Sequence, residues 1–102
     1  MLLLNKKQVS VLITLTDQGK EWYLSNLSDI SKVTYVHTTR IIKEFERQGI
    51  VSIERHGKIK RILLTDKGRR IAERIYEVMN ELNNANNVSA NNIGVNEKQP
   101  LQ

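Results

Sequence analysis

The stretch TYVHTTRIIKEFERQG, residues 34–49, carries two opposite faces on one helical period. Thr34 is a good N-cap and Gly49 a good stop, so a helix is predicted over 34–48. At about 100° per residue, one side of this helix gathers apolar side chains and the other gathers basic ones. The first side, which we expect to be buried, holds Thr38, Ile41, Ile42 and Phe45. The second holds Val36, Arg40, Lys43 and Arg47, with His37 and Thr39 beside it.

The net positive charge of the chain lies in this helix and the segments next to it. The formal net charge is +5. Residues 32–61, the basic block, hold eight Lys or Arg against three Glu, whereas the segments before and after it balance to zero. A localised basic block is the footprint of a surface that binds a polyanion. A merely solvated basic face is the alternative.

Length and composition bound the remaining possibilities. A chain of 102 residues forms one small domain, which we assign to residues 1–82. The Asn-rich residues 83–102 lack any period, which predicts a disordered tail. The absence of cysteine excludes disulfides and thiolate metal sites. The opening MLLLNKK is too short for a signal-peptide core or a membrane span, so we expect a cytoplasmic protein without a membrane partner.

Ahead of the two-faced helix, the sequence predicts a first helix over 5–17. Asn5 is its expected N-cap and Gly19 its stop. The side chains expected on its core face are Val9, Leu12, Ile13 and Thr16.

One short strand is predicted at residues 22–24, followed by a second helix. Ser25 is its expected cap, and the helix carries Leu27 and Ile30 three residues apart and ends near Lys32.

The segment after Gly49 predicts a β-hairpin closed by Gly57 and Lys58. With these two residues as the loop, apolar residues face one another across the strands, and a glycine in the first loop position suits a type II′ turn. The predicted pairs on the apolar face are Ile53 with Ile62 and Val51 with Leu64, and on the other face Glu54 with Arg61.

This register sets Arg55 directly across from Lys60, which is unfavourable unless an anion lies close by. His56, Lys58 and Arg61 crowd the same tip. We therefore expect residues 54–61, the wing, to grip phosphate or to enter a minor groove of DNA. A solvated hairpin tip is the alternative.

A last helix is predicted from its cap Thr65 to about Asn83. The order helix, short strand, helix, helix, hairpin, helix predicts a winged helix-turn-helix, a mainly α fold with a small β-hairpin (α+β). In such a fold the helix 34–48 enters the major groove of double-stranded DNA N-terminus first.

Roles in DNA recognition follow from position along the helix. Arg40 can bond guanine bidentately, and methyl groups of Val36 or Thr39 can touch thymine. Lys43 and Arg47, further along, are expected at phosphates. The candidate recognition residues are Thr34, Tyr35, Val36, His37, Thr39, Arg40, Lys43 and Arg47. For Tyr35, packing against the second helix remains an alternative, and His37 is expected as a hydrogen-bonding flank.

The chain resembles winged-helix transcription regulators of the MarR-like type, especially short archaeal members. The matching stretches are LSDISKVTYVHTTRIIKEFERQGIV and ERHGKIKRILLTDKGRRIA, within residues 22–82, and the most specific pieces are GIV and LTDKG. The resemblance implies a dimer on pseudo-palindromic DNA. The wing lacks the aspartate-containing tip of many MarR proteins, and the N-terminal segment is short. A small-molecule effector therefore stays unknown, and related ArsR and PadR groups leave the subfamily open.

The last helix carries a wide apolar stripe that a small winged core covers only in part. A twofold partner is the simplest cover, although the N-terminal leucines folding back within the chain is the alternative. The expected dimer interface comprises Leu2, Leu3, Leu4, Ile71, Ile75, Val78, Met79 and Leu82.

No catalytic, cofactor-binding or metal-binding constellation can be assembled from these residues. The favoured function is a dimeric, sequence-specific repressor that occludes a promoter. The alternatives are a nucleoid-associated protein that binds DNA without specificity and a winged helix used for protein interaction.

Overall fold

The computed structural model describes residues 4–91, with side-chain environments for residues 4–84. Within these described residues, four helices and a two-stranded antiparallel hairpin confirm the predicted winged helix-turn-helix. The elements are α1 Lys6–Thr14, α2 Leu24–Ser31, α3 Tyr35–Arg47, β1 Val51–His56, β2 Ile59–Leu64 and α4 Asp66–Asn91. The chain divides into two compact units, Met1–Ala72 and Glu73–Gln102, and the boundary falls within α4.

Helix α1 begins as predicted and ends early. The Asn5 side chain accepts from the Gln8 backbone N–H at 2.9 Å, and the Gln8 side chain accepts from the Asn5 N–H at 2.8 Å, which is a reciprocal capping arrangement. The helix ends at Thr14 rather than at 17. The N–H groups of Thr16 and Asp17 bond three residues back, to the carbonyls of Ile13 and Thr14, and this tightening closes the last turn.

The predicted core face of α1 is confirmed at Leu12 only. The buried side chains are Val11, Leu12 and Leu15, whereas Thr16 is exposed and Val9 and Ile13 are half-buried. The sequence VSVLITL has apolar residues on nearly every side of a helix, so its period leaves the direction of burial open.

The predicted strand at 22–24 reduces to one residue. Trp22 forms an isolated antiparallel bridge with Ile62, whose N–H donates to the Trp22 carbonyl at 2.8 Å. The indole N–H of Trp22 donates to the carbonyl of Asp17 at 2.9 Å. Leu24 already belongs to α2, so only a single rung is added to the hairpin.

Helix α2 begins one residue before the predicted cap Ser25. Tyr23 occupies the cap position, and its backbone N–H donates to the Asn26 side chain at 2.8 Å. Leu27 is buried as expected, but Ile30 is 47% exposed. Ser31, four residues after Leu27, takes the inward position instead, because i, i+4 neighbours share a helix face. The predicted end near Lys32 is confirmed.

The hairpin follows the predicted register at every named pair. Val51 faces Leu64, Ile53 faces Ile62, and Glu54 faces Arg61. Gly57 has φ +60°, and Lys58 does not share this positive φ. A positive φ at the first loop residue alone is the signature of a type II′ turn.

The two short motifs of the resemblance, GIV and LTDKG, meet at the start of α4. The Thr65 hydroxyl accepts from the Gly68 N–H at 3.0 Å, and it lies 2.6 Å from the Gly49 carbonyl and 2.9 Å from the Ile50 carbonyl. The Thr65 N–H also donates to Ile50 at 3.1 Å. Thr65 therefore caps α4, as predicted, and at the same time fastens it to the segment that follows α3.

Helix α4 extends to Asn91, eight residues beyond the predicted end at Asn83. Residues 83–91 contain neither glycine nor proline. Asn in a helix costs up to about 0.7 kcal/mol relative to Ala. This cost makes each added helical residue less favourable but does not end the helix. The remainder of the predicted tail, residues 92–102, lies outside the described residues.

Candidate nucleic-acid interface

The core side of α3 is seated as its pattern predicts. Thr34 caps the helix by accepting from the His37 N–H at 3.2 Å. The predicted core residues Thr38, Ile41, Ile42 and Phe45 are all buried. Since one side of the helix is fixed in the core, the opposite side is presented outward.

The turn between α2 and α3 sets the angle at which α3 is presented. Lys32 adopts a left-handed conformation with φ 62°, and the Val33 N–H reaches back to the Ser28 carbonyl at 3.2 Å. Val33 itself is buried. A left-handed residue after a helix lets the chain turn sharply, so α2 and α3 form a helix-turn-helix.

The outward side of α3 includes Tyr35, for which the sequence predicted either a DNA contact or packing against the second helix. Tyr35 is 56% exposed and Val36 59% exposed, so Tyr35 does not pack away into the core. Thr39 is half-buried and donates its hydroxyl to the Tyr35 carbonyl at 2.9 Å. Arg40 and Lys43 are exposed one and two turns further on. The N-terminal half of α3 therefore offers aromatic, methyl and guanidinium groups together.

Lys7 of α1 joins this face through His37. Its ammonium lies 3.1 Å from His37 Nδ1. Because an ammonium only donates hydrogen bonds, this contact requires Nδ1 to be unprotonated. The flanking role expected for His37 is consistent with this contact. Lys7 itself was missed, because it is 30 positions away in sequence.

Each glutamate of the basic block holds one arginine. Arg47 pairs with Glu44 at 2.5 Å, Arg55 with Glu46 at 3.4 Å, and Arg61 with Glu54 at 3.3 Å. The hydrogen bond from Arg47, supported by one from Gln48, lowers the pKa of the Glu44 carboxyl below its ordinary value. Glu46 is thus the anion that offsets the predicted Arg55–Lys60 opposition.

The remaining cations of the basic block account for the whole net charge. Three glutamates offset three arginines, which leaves five cations in no ion pair among the residues with described side chains. These five free cations are Lys32, Arg40, Lys43, Lys58 and Lys60. Lys32 was not predicted as a contact, because its position in the helix-helix turn is visible only in three dimensions.

The wing tip lies beside the start of α3. A groove of about 410 Å³ separates them, and its lining comprises Tyr23, Leu24, Ser25, Tyr35, Lys58, Ile59 and Lys60. His56, predicted at the wing, is exposed across from Ile59. Ile59 is 57% exposed between two lysines, and sequence reasoning missed it. Its signal was an apolar residue on the polar face of the hairpin.

Two other kinds of site are absent from the described part of the chain. Within residues 4–91, no group of three or more His, Cys, Asp or Glu is arranged to hold a metal ion. No helix in that range is both long and apolar enough to span a bilayer.

The residues predicted for the dimer interface differ in how exposed they are to solvent. Leu2 and Leu3 lie outside the described residues, and Leu4, Ile71 and Ile75 are half-buried. The exposed members are Val78, Met79 and Leu82.

The fold and its basic face define a winged helix-turn-helix protein, and comparison with known proteins narrows the class. An uncharacterized protein of Archaeoglobus fulgidus is 30% identical over 86 residues, covering 81% of this chain and 90% of that protein. The crystal structure of AF1382 from Archaeoglobus fulgidus matches with TM-score 0.71 and 29% identity, over 78% of this chain and 91% of that one.

A MarR family transcriptional regulator from Silicibacter pomeroyi matches with TM-score 0.70 and 25% identity, over 85% of this chain. The match spans 62% of the regulator's own length. No protein-family model matches the chain. This chain belongs to the same family as the Archaeoglobus protein, among the MarR-like winged helix-turn-helix proteins.

Proposed function

We propose that the protein is a cytoplasmic transcription regulator that binds double-stranded DNA, with α3 in the major groove and the wing on the backbone or in the minor groove. The observation that carries this proposal is the location of the five free cations on the helix-turn-helix and the wing. Every acidic group of the basic block is already engaged by an arginine, so these five cations are available to phosphates. The MarR-like family supports the same assignment.

Positions along α3 separate base readout from phosphate contact. The exposed N-terminal half, with Val36 and Arg40, approaches base edges, because a recognition helix enters the groove with this end first. Tyr35, Thr34 and His37 lie at the same end, and Thr39 adds a methyl group. Lys43, one turn further along, meets phosphate.

The wing supplies a second contact. Lys58 and Lys60 flank its tip and reach phosphate as point charges. Ile59 between them is an apolar group of the kind that proteins insert between base steps in the minor groove. Arg47, Arg55, Arg61 and His56 complete the predicted contact set. Each of these arginines would exchange a glutamate for a phosphate on binding.

We propose further that two copies bind a pseudo-palindromic operator and repress by occluding a promoter. The basis is the apolar stripe of α4, whose exposed members need a cover. No effector ligand and no catalytic step are part of the proposal.

A second candidate, a DNA-binding protein without sequence preference, is favoured by one observation. Four of the five free cations are lysines, which bind phosphate without the bidentate geometry that reads guanine. Arg40 is the single arginine among them, so it decides between the two candidates.

Binding-site selection on random duplex DNA, followed by titration of an Arg40→Ala variant, tests the proposal. A selected palindrome with half-sites about 10 base pairs apart is expected. On that site Arg40→Ala should weaken binding by about 1–3 kcal/mol and relax preference at one base. Lys58→Ala should weaken binding to all sequences alike, and Lys20→Ala, outside the basic block, is the matched control.

Other results would redirect the assignment. A pool without enrichment, bound equally by Arg40→Ala and the parent chain, supports the non-specific binder. The absence of measurable DNA binding at low salt leaves the third function, a winged helix that contacts another protein.

A further inference from the structure

The second unit of the chain presents an apolar strip with a coiled-coil period. Ile75, Val78 and Leu82 are spaced by three and then four residues, which is the a–d–a spacing of a heptad. Val78 is 58% exposed and Leu82 60% exposed, and Met79 beside them is 42% exposed. In coiled coils, residues with this spacing form the seam that packs against another helix.

Two opposite charges border this strip on one side. With Ile75 and Leu82 as a positions, Arg74 and Glu81 both fall at g positions, one heptad apart. Neither takes part in an ion pair among the described side chains. Side chains at e and g positions set partner choice and orientation in coiled coils.

We propose that the strip is covered by the same strip of a second copy in antiparallel orientation. Ile75 of one copy then lies level with Val78 of the other, and the twofold axis repeats this layer. In that register Arg74 lies within about 3 Å, along the axis, of the level of Glu81 of the second copy. The dimer gains this ion pair twice.

The alternatives do not satisfy the same charges. A parallel pair sets g positions against e positions, so Arg74 would lie beside Met79 of the second copy and gain no ion pair. An antiparallel pair shifted by one heptad, with Val78 level with Leu82, would bring Glu81 against Glu81 of the second copy. Charge complementarity therefore selects one orientation and one register.

This inference rests on the proposed dimer and adds its geometry. Charge reversal in the full chain, with dimer dissociation measured by analytical ultracentrifugation, tests it. Arg74→Glu and Glu81→Arg each turn two attractions per dimer into repulsions, so each should raise the dissociation constant on the order of tenfold. An equimolar mixture of the two variants, and the double variant, should recover the parent value to within about threefold.

Cross-linking tests the register independently, because the chain has no native cysteine. The variant carrying Ile75→Cys and Val78→Cys, oxidised and digested, should yield a peptide joined between positions 75 and 78. A product joined 75 to 75 would show parallel helices and overturn the inference.

The outcomes separate the dimer from its geometry. A parent chain that stays monomeric at micromolar concentration removes both. A dimer whose dissociation is unaffected by either single charge reversal keeps the dimer and removes the antiparallel pairing.

Discussion

Replacing Gly68 with alanine tests the joint between the end of α3 and the start of α4. A Cβ built on Gly68 would lie 2.1 Å from the carbonyl oxygen of Ile50 and 2.9 Å from Leu64 Cδ1. The first neighbour is backbone, which cannot rotate away as a flexible side chain would. In an open helix the same substitution would stabilise the protein by about 1 kcal/mol. The close contact therefore predicts that Gly68→Ala destabilises the protein, whereas helix propensity alone predicts that it stabilises it.

The size of the stability loss in Gly68→Ala depends on how the Ile50 carbonyl is displaced. Relieving the contact displaces the Ile50 carbonyl, and forced overpacking costs about 1–3 kcal/mol. That carbonyl also accepts from the Thr65 N–H at 3.1 Å and lies 2.9 Å from the Thr65 hydroxyl, and each hydrogen bond contributes about 0.5–1.5 kcal/mol. After subtracting the helix-propensity gain, we expect a net loss of about 2–3 kcal/mol.

Thermal unfolding followed by circular dichroism measures this loss. For a domain of this size, 1 kcal/mol corresponds to about 4–8 °C in Tm, so Tm should fall by about 10–20 °C. Gly19→Ala is the matched control, because its Cβ meets only the Asp17 carboxylate, at 3.3 Å, and its φ is not in the left-handed region. A Tm for Gly68→Ala that equals or exceeds that of the parent would refute the proposed role of this close approach.

Three further predictions address the core, the pH dependence and the basic face. Phe45→Ala, at a fully buried position, should lower the free energy of unfolding by about 3–5 kcal/mol in a urea titration; a loss under about 1 kcal/mol would contradict the assigned core. Because Arg47 lowers the pKa of Glu44 below its ordinary 4.5, the stabilisation from this carboxylate is complete above that pH and is lost as the pH falls through the lower folded value. The free energy of unfolding of Glu44→Gln should thus fall less steeply on acidification than that of the parent chain. An unchanged dependence on pH would show that the Glu44–Arg47 pair does not stabilise the fold. Lys43→Ala should make the slope of log K against log salt shallower by about 0.9 per chain, measured by fluorescence anisotropy on duplex DNA; an unaltered slope would remove Lys43 from the phosphate contacts.

The sequence sufficed for those parts of the fold whose patterns admit a single solution. Shifting the hairpin register by one residue would move Ile53 and Ile62 out of the apolar face, so only one pairing was acceptable. The buried face of α3 was equally determined, because Phe45 and its neighbours oppose a row of cations. Thr65 was recognisable as a cap from its position before Asp66.

Other features depended on tertiary contacts. Burial of Val11 and Leu15 rather than Thr16 was open in a helix that is apolar on most sides. Tyr23 replaced Ser25 at the start of α2 because the Asn26 side chain captures the Tyr23 N–H. At the candidate interface, the ion pair between Glu46 of α3 and Arg55 of β1 joins residues nine positions apart. No local period encodes such a pair, and it decides which cations stay free.

Trp22 gives the molecule a built-in reporter. It is the sole tryptophan of the chain and only 4% exposed, so its emission should shift to longer wavelength when the surrounding core opens to water. Its carbonyl bonds a residue 40 positions away, Ile62, and contacts of such large sequence separation form late when loop closure limits folding. In stopped-flow refolding, tryptophan emission should therefore follow the closing of the sheet, while the helical signal at 222 nm follows the helices. A lag between the two would time the docking of the wing without any added label.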